Sequence, residues 1–219
     1  MEFLQKTKAV LLVLMLISLS ACAVDRSTVS VDAPENISNP SNGVEVKLAS
    51  VTDGRVYEFQ PATPDIPSLS EDEIVNADIK ARAFARKRNS YGKALGDVIL
   101  PEEQTVAEIM KKAVANAFRS AVYRVMEPGD AAYDRAIPVE AKVIQFWSWI
   151  DWGFWELSVH NRAEVFIKAP TGKLTEGLTV LNETVTKHAA VFDSDWQESA
   201  VTGVREISGK VAEELKKSQ

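Results

Sequence analysis

The chain has 219 residues and a formal net charge of −6 at pH 7, with 31 acidic and 25 basic side chains. Nucleic-acid binders carry clustered positive charge, so this balance argues against a nucleic acid as the partner. The single cysteine excludes an intramolecular disulfide, and together with only two histidines it is too little for a typical zinc site. We therefore expect no metal ion and no organic cofactor.

The first 21 residues have the pattern of a secretory signal peptide. Two lysines precede an unbroken apolar run over residues 9–17, and small residues follow it. The run is shorter than the roughly 20 apolar residues that span a bilayer. The segment Leu19-Ser20-Ala21-Cys22 resembles the lipobox of bacterial lipoproteins, and this resemblance implies cleavage before Cys22 and acylation of its thiol. The alternative is an ordinary signal peptide followed by a cysteine with no such role.

The residue after Cys22 bears on the choice of membrane. Many lipoproteins that stay in the inner membrane have an aspartate there, whereas this chain has Ala23. By resemblance to that sorting rule, we expect a lipid anchor in the outer membrane and a domain on its periplasmic face. More than one acyl chain would make this membrane attachment stable.

Residues 22–43 are rich in Ser, Asn, Asp and Pro and contain few large apolar side chains. Such a composition buries too little surface to offset the entropy lost on ordering. We interpret this segment as the lipidated N-terminus and a flexible tether. Residues 44–219 then form a single periplasmic α/β domain, which is long enough for one hydrophobic core.

The beginning of the domain predicts a strand, a loop and a basic helix. Apolar and polar residues alternate over 44–48, and a turn with a short second strand follows over 52–59. Prolines mark a loop over 61–67. The capping box Ser70–Glu73 then predicts a helix that runs toward Arg88.

Six basic residues between positions 80 and 93 distinguish this segment in an otherwise acidic chain. Most runs of charge are solvated faces of helices, and that is the simpler interpretation. The alternative is a docking patch for an anionic partner, such as lipid head groups. Its candidate binding residues are Arg86, Lys87 and Arg88.

Two further helices have clear apolar faces. The first begins at the capping box Thr105–Glu108 and ends before Pro128, and the second begins at the capping box Ser194–Gln197. Each places apolar residues on one face at helical spacing. These residues are Val106, Ile109, Met110, Ala113, Ala117, Ala121 and Val125 in the first helix, and Trp196, Ala200, Val204, Ile207, Val211 and Leu215 in the second.

Three strands are predicted between these helices. Apolar and polar residues alternate over 137–147 and 155–168, and a threonine-rich strand follows over 174–190. Antiparallel pairing is the simplest way to join consecutive strands of similar length. The predicted fold is a two-layer α/β (α+β) sandwich, in which an antiparallel sheet carries the two main helices on one face, with the basic helix or linker in addition.

The segment Phe146–Trp155 joins the first two of these strands and holds four of the five tryptophans. Asp151-Trp152-Gly153 predicts the reversal of a β-hairpin. Strict alternation puts Trp147 and Trp155 on the face that the helices cover. It leaves a candidate exposed binding surface, formed by Phe146, Trp149, Trp152 and Phe154. The alternative is that the basic helix folds over these aromatic residues.

The sequence contains none of the common catalytic motifs: no Gly-rich phosphate loop, no G-x-S-x-G and no H-E-x-x-H. His160 falls on the polar face of its strand, which is typical of an exposed histidine. Acidic residues are numerous, but a pair of carboxylates indicates a glycosidase only through its geometry. We therefore expect a binding protein and not an enzyme, with a cell-wall-active hydrolase as the weakest alternative.

The order of elements behind the lipobox resembles that of YajG-type bacterial lipoproteins and, more loosely, of the auxiliary lipoproteins that accompany envelope ABC transporters. The likeness runs from about Val44 to Leu215. It is carried by Asp53-Gly54-Arg55, by Lys87-Arg88-Asn89-x-Tyr91-Gly92 and by Tyr123-Arg124-Val125. The resemblance implies a periplasmic lipoprotein of the predicted fold and supplies no catalytic residues. The proline-rich loop and the tryptophan-rich hairpin depart from the pattern.

Two functions of different classes follow from these features. The leading hypothesis is a membrane-anchored accessory or scaffold protein that binds a partner in an envelope complex. The second is a periplasmic carrier of a lipid or other amphiphile, which would use the aromatic and basic segments together. An exposed aromatic tip favours the scaffold, whereas a cavity between sheet and helices lined by Trp and Phe favours the carrier.

Overall fold

A computed structural model of the protein describes residues 26–217 and has the predicted two-layer α+β architecture. The predictions for residues 1–25, which include the signal peptide, Cys22 and Ala23, lie outside the described residues. An eight-stranded sheet is combined with three α-helices. The elements are β1 (Ser27–Thr28), β2 (Glu45–Asp53), α1 (Ala77–Arg82), β3 (Ala83–Arg88), β4 (Ala94–Ile99), α2 (Val106–Ser120), β5 (Arg124–Val125), β6 (Ile137–Trp152), β7 (Leu157–Lys168), a 3₁₀ helix (Gly172–Thr175), β8 (Leu178–His188) and α3 (Asp193–Lys217).

Strand β6 lies at the centre of the sheet. One of its edges pairs with β7, which pairs with β8, and both ladders are antiparallel as predicted. The other edge serves two partners, because β6 has 16 residues. Its first half pairs in parallel with β2, and its second half meets β3 in parallel at Ser148. The sheet is therefore mixed, and the prediction of an antiparallel sheet holds only for β3–β4 and β6–β7–β8. Strands β3 and β4 form an antiparallel hairpin, and β4 pairs in parallel with the short β1.

Helices α2 and α3 cover one face of the sheet and form the main core with it, as the apolar faces predict. Thr105 caps α2 by accepting a hydrogen bond from the N–H of Glu108. All six apolar residues predicted for α3 are buried, from Trp196 to Leu215. This helix begins at Asp193, one residue before the predicted cap.

Residues 26–43 pack along the domain, so the predicted flexible tether is wrong for the described part of this segment. β1 adds to the edge of β4, and Val29 and Val31 are buried in the main core. Farther along, the side-chain oxygen of Asn39 accepts from the N–H of Val125, and its amide donates to the carbonyl of the same residue. The composition of this segment does not indicate this packing, because it depends on partners elsewhere in the domain. These partners are the edge of β4, the main core and the main chain of Val125.

The basic segment is mostly strand, whereas its sequence predicts a helix. Only Ala77–Arg82 is helical, and its cap is the side chain of Asn76. The chain then continues as β3, where Phe84 contributes to the main core and Ala83 to a second apolar cluster on the other face of the sheet. Packing against both faces requires the alternation of a strand and outweighs helix propensity. The predicted short strand over 56–59 is reduced to one bridge between Glu58 and Ser68.

Strand β6 contains a β-bulge that determines which aromatic side chains share a face. Val143 and Gln145 lie opposite consecutive residues of β7, so Ile144 is an extra residue on β6. An extra residue exchanges the faces of every residue beyond it. Phe146 therefore joins the main core under the helices, and Trp147 and Trp149 face the opposite side.

The opposite face of β6 is covered by residues 55–82, which we call the cover segment. Leu69 is buried there against Trp147 and Trp149, and the Tyr57 ring packs edge-on against Trp147 at 6.0 Å. The indole Nε1 of Trp147 donates a hydrogen bond of 3.1 Å to the carbonyl of Pro64. The proline-rich loop and α1 thus close a second, smaller core.

The side chain of Arg55 holds the cover segment in place. Its guanidinium is fully buried and pairs with the carboxylate of Asp53 at 2.6 Å. It also donates to the carbonyls of Lys80 and Ala83, both at 2.6 Å. The same Lys80 and Ala83 carbonyls accept from the hydroxyl of Tyr57, whose pKa is raised by burial. Charge-assisted bonds of this kind are the strong ones, so Arg55 ties β2, α1 and β3 together.

Gly203→Ala should destabilise the domain by about 1–3 kcal/mol, because a side chain there overpacks the core. A Cβ at position 203 would lie 1.9 Å from the side-chain oxygen of Asn161. That amide is buried on β7 and donates to Ser148 at 2.9 Å, so it cannot move aside freely. Urea unfolding measures the loss.

Gly209→Ala is the matched control in the same helix. Nothing lies within 4 Å of a Cβ built at position 209, so the loss of glycine entropy should stabilise the domain by about 0.4–1 kcal/mol. Equal effects of the two changes would contradict the described packing of α3 on β7.

Candidate binding surface

The tip of the β6–β7 hairpin presents three exposed aromatic side chains. Trp152, Phe154 and Trp155 are 48%, 88% and 89% exposed. The rings of Phe154 and Trp155 meet edge to face at 4.6 Å. The turn requires glycine at position 153, because a Cβ there would lie 2.6 Å from the carbonyl oxygen of Glu156. The sequence thus predicts the hairpin and the exposure of Trp152 and Phe154 correctly.

The predicted exposure of Phe146 and Trp149 is wrong. Phe146 is 0% and Trp149 4% exposed, because the bulge turns Phe146 toward the helices and the cover segment closes over Trp149. The Trp149 ring is stacked on His160 at 4.9 Å, with the Arg162 guanidinium 5.1 Å from its centre. Trp155, assigned to the covered face by strict alternation, lies in the turn and is exposed.

Two other loops place exposed aromatic residues at the same end of the sheet. Tyr91 lies in the β3–β4 turn and Phe192 lies between β8 and α3, and both are largely exposed. Trp152 joins the hairpin tip to the end of β3, since its Nε1 donates to the carbonyl of Arg88 at 3.2 Å, and it lines one groove together with Phe192. We call the surface formed by Tyr91, Trp152, Phe154, Trp155 and Phe192 the aromatic end.

A groove of about 590 Å³ lies beside the hairpin tip. Trp152 and Phe192 form its rim, and Lys87 and Arg88 lie on its wall. Leu95, Ile150, Leu157, Val191 and Trp196 supply apolar surface, and Asp193 places a carboxylate in the groove 3.8 Å from the amine of Lys87. Its volume is within the range of small-ligand sites, and its lining suits a molecule with an apolar part and an anionic group.

Arg86 is not available for the predicted docking role, because it pairs with Asp97 at 2.9 Å and both side chains are largely buried. Arg26 reaches the same carboxylate at 3.2 Å and also pairs with Glu73. Burial raises the pKa of Asp97, and the charge of Arg86 opposes this shift. These residues join β1, the cover segment, β3 and β4, so their evident role is structural.

Lys87 and Arg88 differ from Arg86 in their surroundings. The amine of Lys87 contacts Ser27 at 2.6 Å and Asp193 at 3.8 Å, which ties β3 to β1 and α3. Arg88 donates to the Gly92 carbonyl at 2.8 Å and to the Ser68 hydroxyl at 2.9 Å, and within residues 26–217 no carboxylate pairs with it. Burial lowers the pKa of Arg88, with Arg86 as a second cause. Arg88 is therefore the candidate cation of the basic segment.

The polar cluster most like a catalytic site surrounds His160. Its Nε2 lies 3.1 Å from Asp151 and its Nδ1 3.3 Å from Glu183. All three side chains lie on the face of Trp149, where Glu183 also pairs with Arg162. Among the described residues, no group of three or more His, Cys, Asp or Glu side chains is arranged to hold a metal ion. No helix within 26–217 is long and apolar enough to cross a membrane.

Trp149→Ala should cost about 3–5 kcal/mol of unfolding free energy, since it empties the second core. Phe154→Ala should change stability by no more than about 0.5 kcal/mol, because the ring is exposed. Urea unfolding of both variants measures the difference. Similar, small losses would show that the cover segment does not hold Trp149 in a core.

Comparisons with known proteins give structural neighbours only. No family model matches the chain, and no curated protein matches it. One solved structure of an uncharacterised protein is 9% identical, with a TM-score of 0.45, and the match covers 86% of this chain and 99% of that one. A protein of family DUF330 from Xanthomonas campestris is 8% identical, with a TM-score of 0.41, and the match covers 89% of this chain and 99% of that one.

Proposed function

We propose that the protein is an accessory, scaffold-type lipoprotein of the cell envelope, which acts by binding and not by catalysis. Acylated Cys22 would hold it at the periplasmic face of the outer membrane. The aromatic end would be its functional surface. This proposal agrees with the resemblance to YajG-type lipoproteins, but it rests on the surface itself.

The observation that carries the proposal is the clustering of five exposed aromatic residues from three loops at one end of the sheet. Monomeric soluble proteins seldom expose contiguous apolar surface without a partner. Trp and Tyr side chains contribute much of the energy of such contacts and lose little entropy on binding. Among the other exposed apolar residues of the described surface, Leu181 and Val185 are aliphatic and lie within a polar strand face. Phe59, in the cover segment, is a further exposed aromatic residue.

A second candidate function is favoured by the groove beside the hairpin tip. A carrier of a lipid or other amphiphile would place an apolar chain against Ile150 and Leu157 and an anionic group near Lys87 and Arg88. The groove is lined by Leu95, Ile150 and Leu157 of the sheet and by Trp196 of α3. It therefore lies between the end of the sheet and the start of that helix. Mass spectrometry of lipid extracted from the purified protein distinguishes this carrier role from the scaffold role.

The scaffold role is tested by lysine-reactive crosslinking in intact cells. The native lipoprotein should give a defined adduct of higher mass, and Phe154→Ser with Trp155→Ser should remove most of that adduct. The melting temperature should change by no more than about 2 °C, because both side chains are exposed. Cys22→Ser should also remove the adduct, since it would release the domain from the membrane.

The matched control is Leu181→Ser with Val185→Ser, which removes two apolar side chains from β8. These residues pair with Glu164 and His160 of β7 and lie outside the loops of the aromatic end. This control should leave the adduct unchanged. The proposal fails if the native protein gives no adduct, or if the β8 variant loses the adduct and the aromatic variant keeps it.

A further inference from the structure

We propose that the aromatic end binds the surface of the phospholipid bilayer in which the protein is anchored. The domain would then have two membrane contacts, the acyl chains on Cys22 and an aromatic platform. This inference deepens the proposed function and rests on its lipid anchor. Contact of the aromatic end with the bilayer would orient the domain for its envelope partner, so the loss of Phe154 and Trp155 would remove both the contact and the adduct.

The direction of the N-terminal strand is the first argument. β1 runs parallel to β4, with Ser27 beside Val98. Strand β4 begins at Ala94, next to the turn that carries Tyr91. The chain therefore enters the domain from the side of the aromatic end. Ser27 also lines the groove whose rim is formed by Trp152 and Phe192.

The short distance to the anchor is the second argument. Cys22 precedes Ser27 by five residues, and five residues span at most about 17 Å even when fully extended. Ser27 is fixed, because its hydroxyl bonds to Asp193 at 2.7 Å and its strand pairs with β4. Ser27 is level with Val98, four residues beyond the start of β4 at Ala94, which is about 13 Å along the strand. The tether can therefore reach back to the aromatic end but not much farther, and it holds this end close to the membrane surface.

The composition of the surface is the third argument. Trp and Tyr are enriched where proteins meet the interface of a bilayer, and Lys and Arg attract anionic lipids. Arg88 ends β3 and Lys93 lies in the turn that follows it. The Arg88 guanidinium donates to the Gly92 carbonyl and the Ser68 hydroxyl, and within the described residues neither Arg88 nor Lys93 forms a salt bridge with a carboxylate. The nearby Glu156 is paired with Lys187. Asp151 and Asp195 pair with His160 and His188, and Asp193 lies beside Lys87. The charge at this end is therefore mixed, and Arg88 and Lys93 are the cations that a lipid phosphate could pair with.

The rigidity of the hairpin is the fourth argument. The strands below the tip are paired without interruption from Gln145 to Trp152, and the cover segment and the helices pack on their two faces. The tip therefore loses little conformational entropy when it enters the lipid interface. Phe154 and Trp155 project from it as neighbouring rings.

Quenching of tryptophan fluorescence by brominated lipid tests this inference directly. The full lipoprotein is reconstituted in vesicles of phosphatidylethanolamine and phosphatidylglycerol, with and without bromine on the acyl chains. Trp147, Trp149 and Trp196 are buried and should keep their emission. Brominated lipid should remove the part of the emission that comes from Trp152 and Trp155. The size of this part is the difference in emission, in lipid without bromine, between the native protein and the double variant Trp152→Phe with Trp155→Phe. The double variant itself should not be quenched.

A second variant tests whether quenching reflects the affinity of the aromatic end for the bilayer or only the short distance between the domain and its lipid anchor. A flexible Gly/Ser insertion of about 20 residues between Cys22 and Arg26 lets the domain move away from the bilayer. Quenching should persist in this variant, because the aromatic end has its own affinity and a high effective concentration near the lipid.

Absence of quenching in the native lipoprotein overturns the inference, and so does its loss after the insertion. If quenching is absent but the crosslinked adduct still depends on Phe154 and Trp155, the occupant of the aromatic end is a protein. The proposed function then stands and the bilayer is excluded as the occupant.

Discussion

The single extra residue in β6 is the constraint on which the rest of the structure depends. Without the bulge at Ile144, strict alternation would send Trp147 toward the helices and Phe146 away from them. With it, two tryptophans face away from the helices and need a cover of their own. The cover segment meets this need, and the buried Arg55 guanidinium fixes it to the sheet. The aromatic residues before the tip are therefore core, and those in the turn remain for binding.

These features divide the domain into a rigid base and an exposed platform. Both faces of the central hairpin are packed, so the tip is held by two cores and not by one. Most of the basic residues that the sequence offers as candidates for docking an anion instead form contacts within this rigid base. The Arg86–Asp97 pair is an example. We place the binding function in the loops at one end, where exposed aromatic side chains lie near Arg88. A binding surface built on such a base is preorganised, which lowers the entropic cost of docking.

Local sequence signals predicted much of this fold, and long-range packing explains what they missed. The capping box at Thr105, the alternation in β7 and the reversal near Gly153 depend on neighbouring residues, so the sequence contains enough information to place them. The bulge is not visible in the sequence, because any residue can be the extra one. The strand at Ala83–Arg88 and the docking of residues 26–43 depend on edges that exist only in the folded sheet. Of the predicted exposed aromatics, Trp152 and Phe154 were therefore placed correctly, and those before the turn were not.

If the bilayer proposal holds, the aromatic end faces the anchoring membrane and β8 faces the aqueous phase. The most direct measurement is the accessibility of a spin label in the reconstituted lipoprotein, with Phe154→Cys compared with Leu181→Cys. Because acylation would occupy the thiol of Cys22, the only native cysteine, each introduced cysteine is labelled alone. The account predicts that the label at 154 relaxes faster with oxygen, which partitions into lipid, and that the label at 181 relaxes faster with an aqueous nickel chelate. Equal access of the nickel chelate to both labels would contradict it.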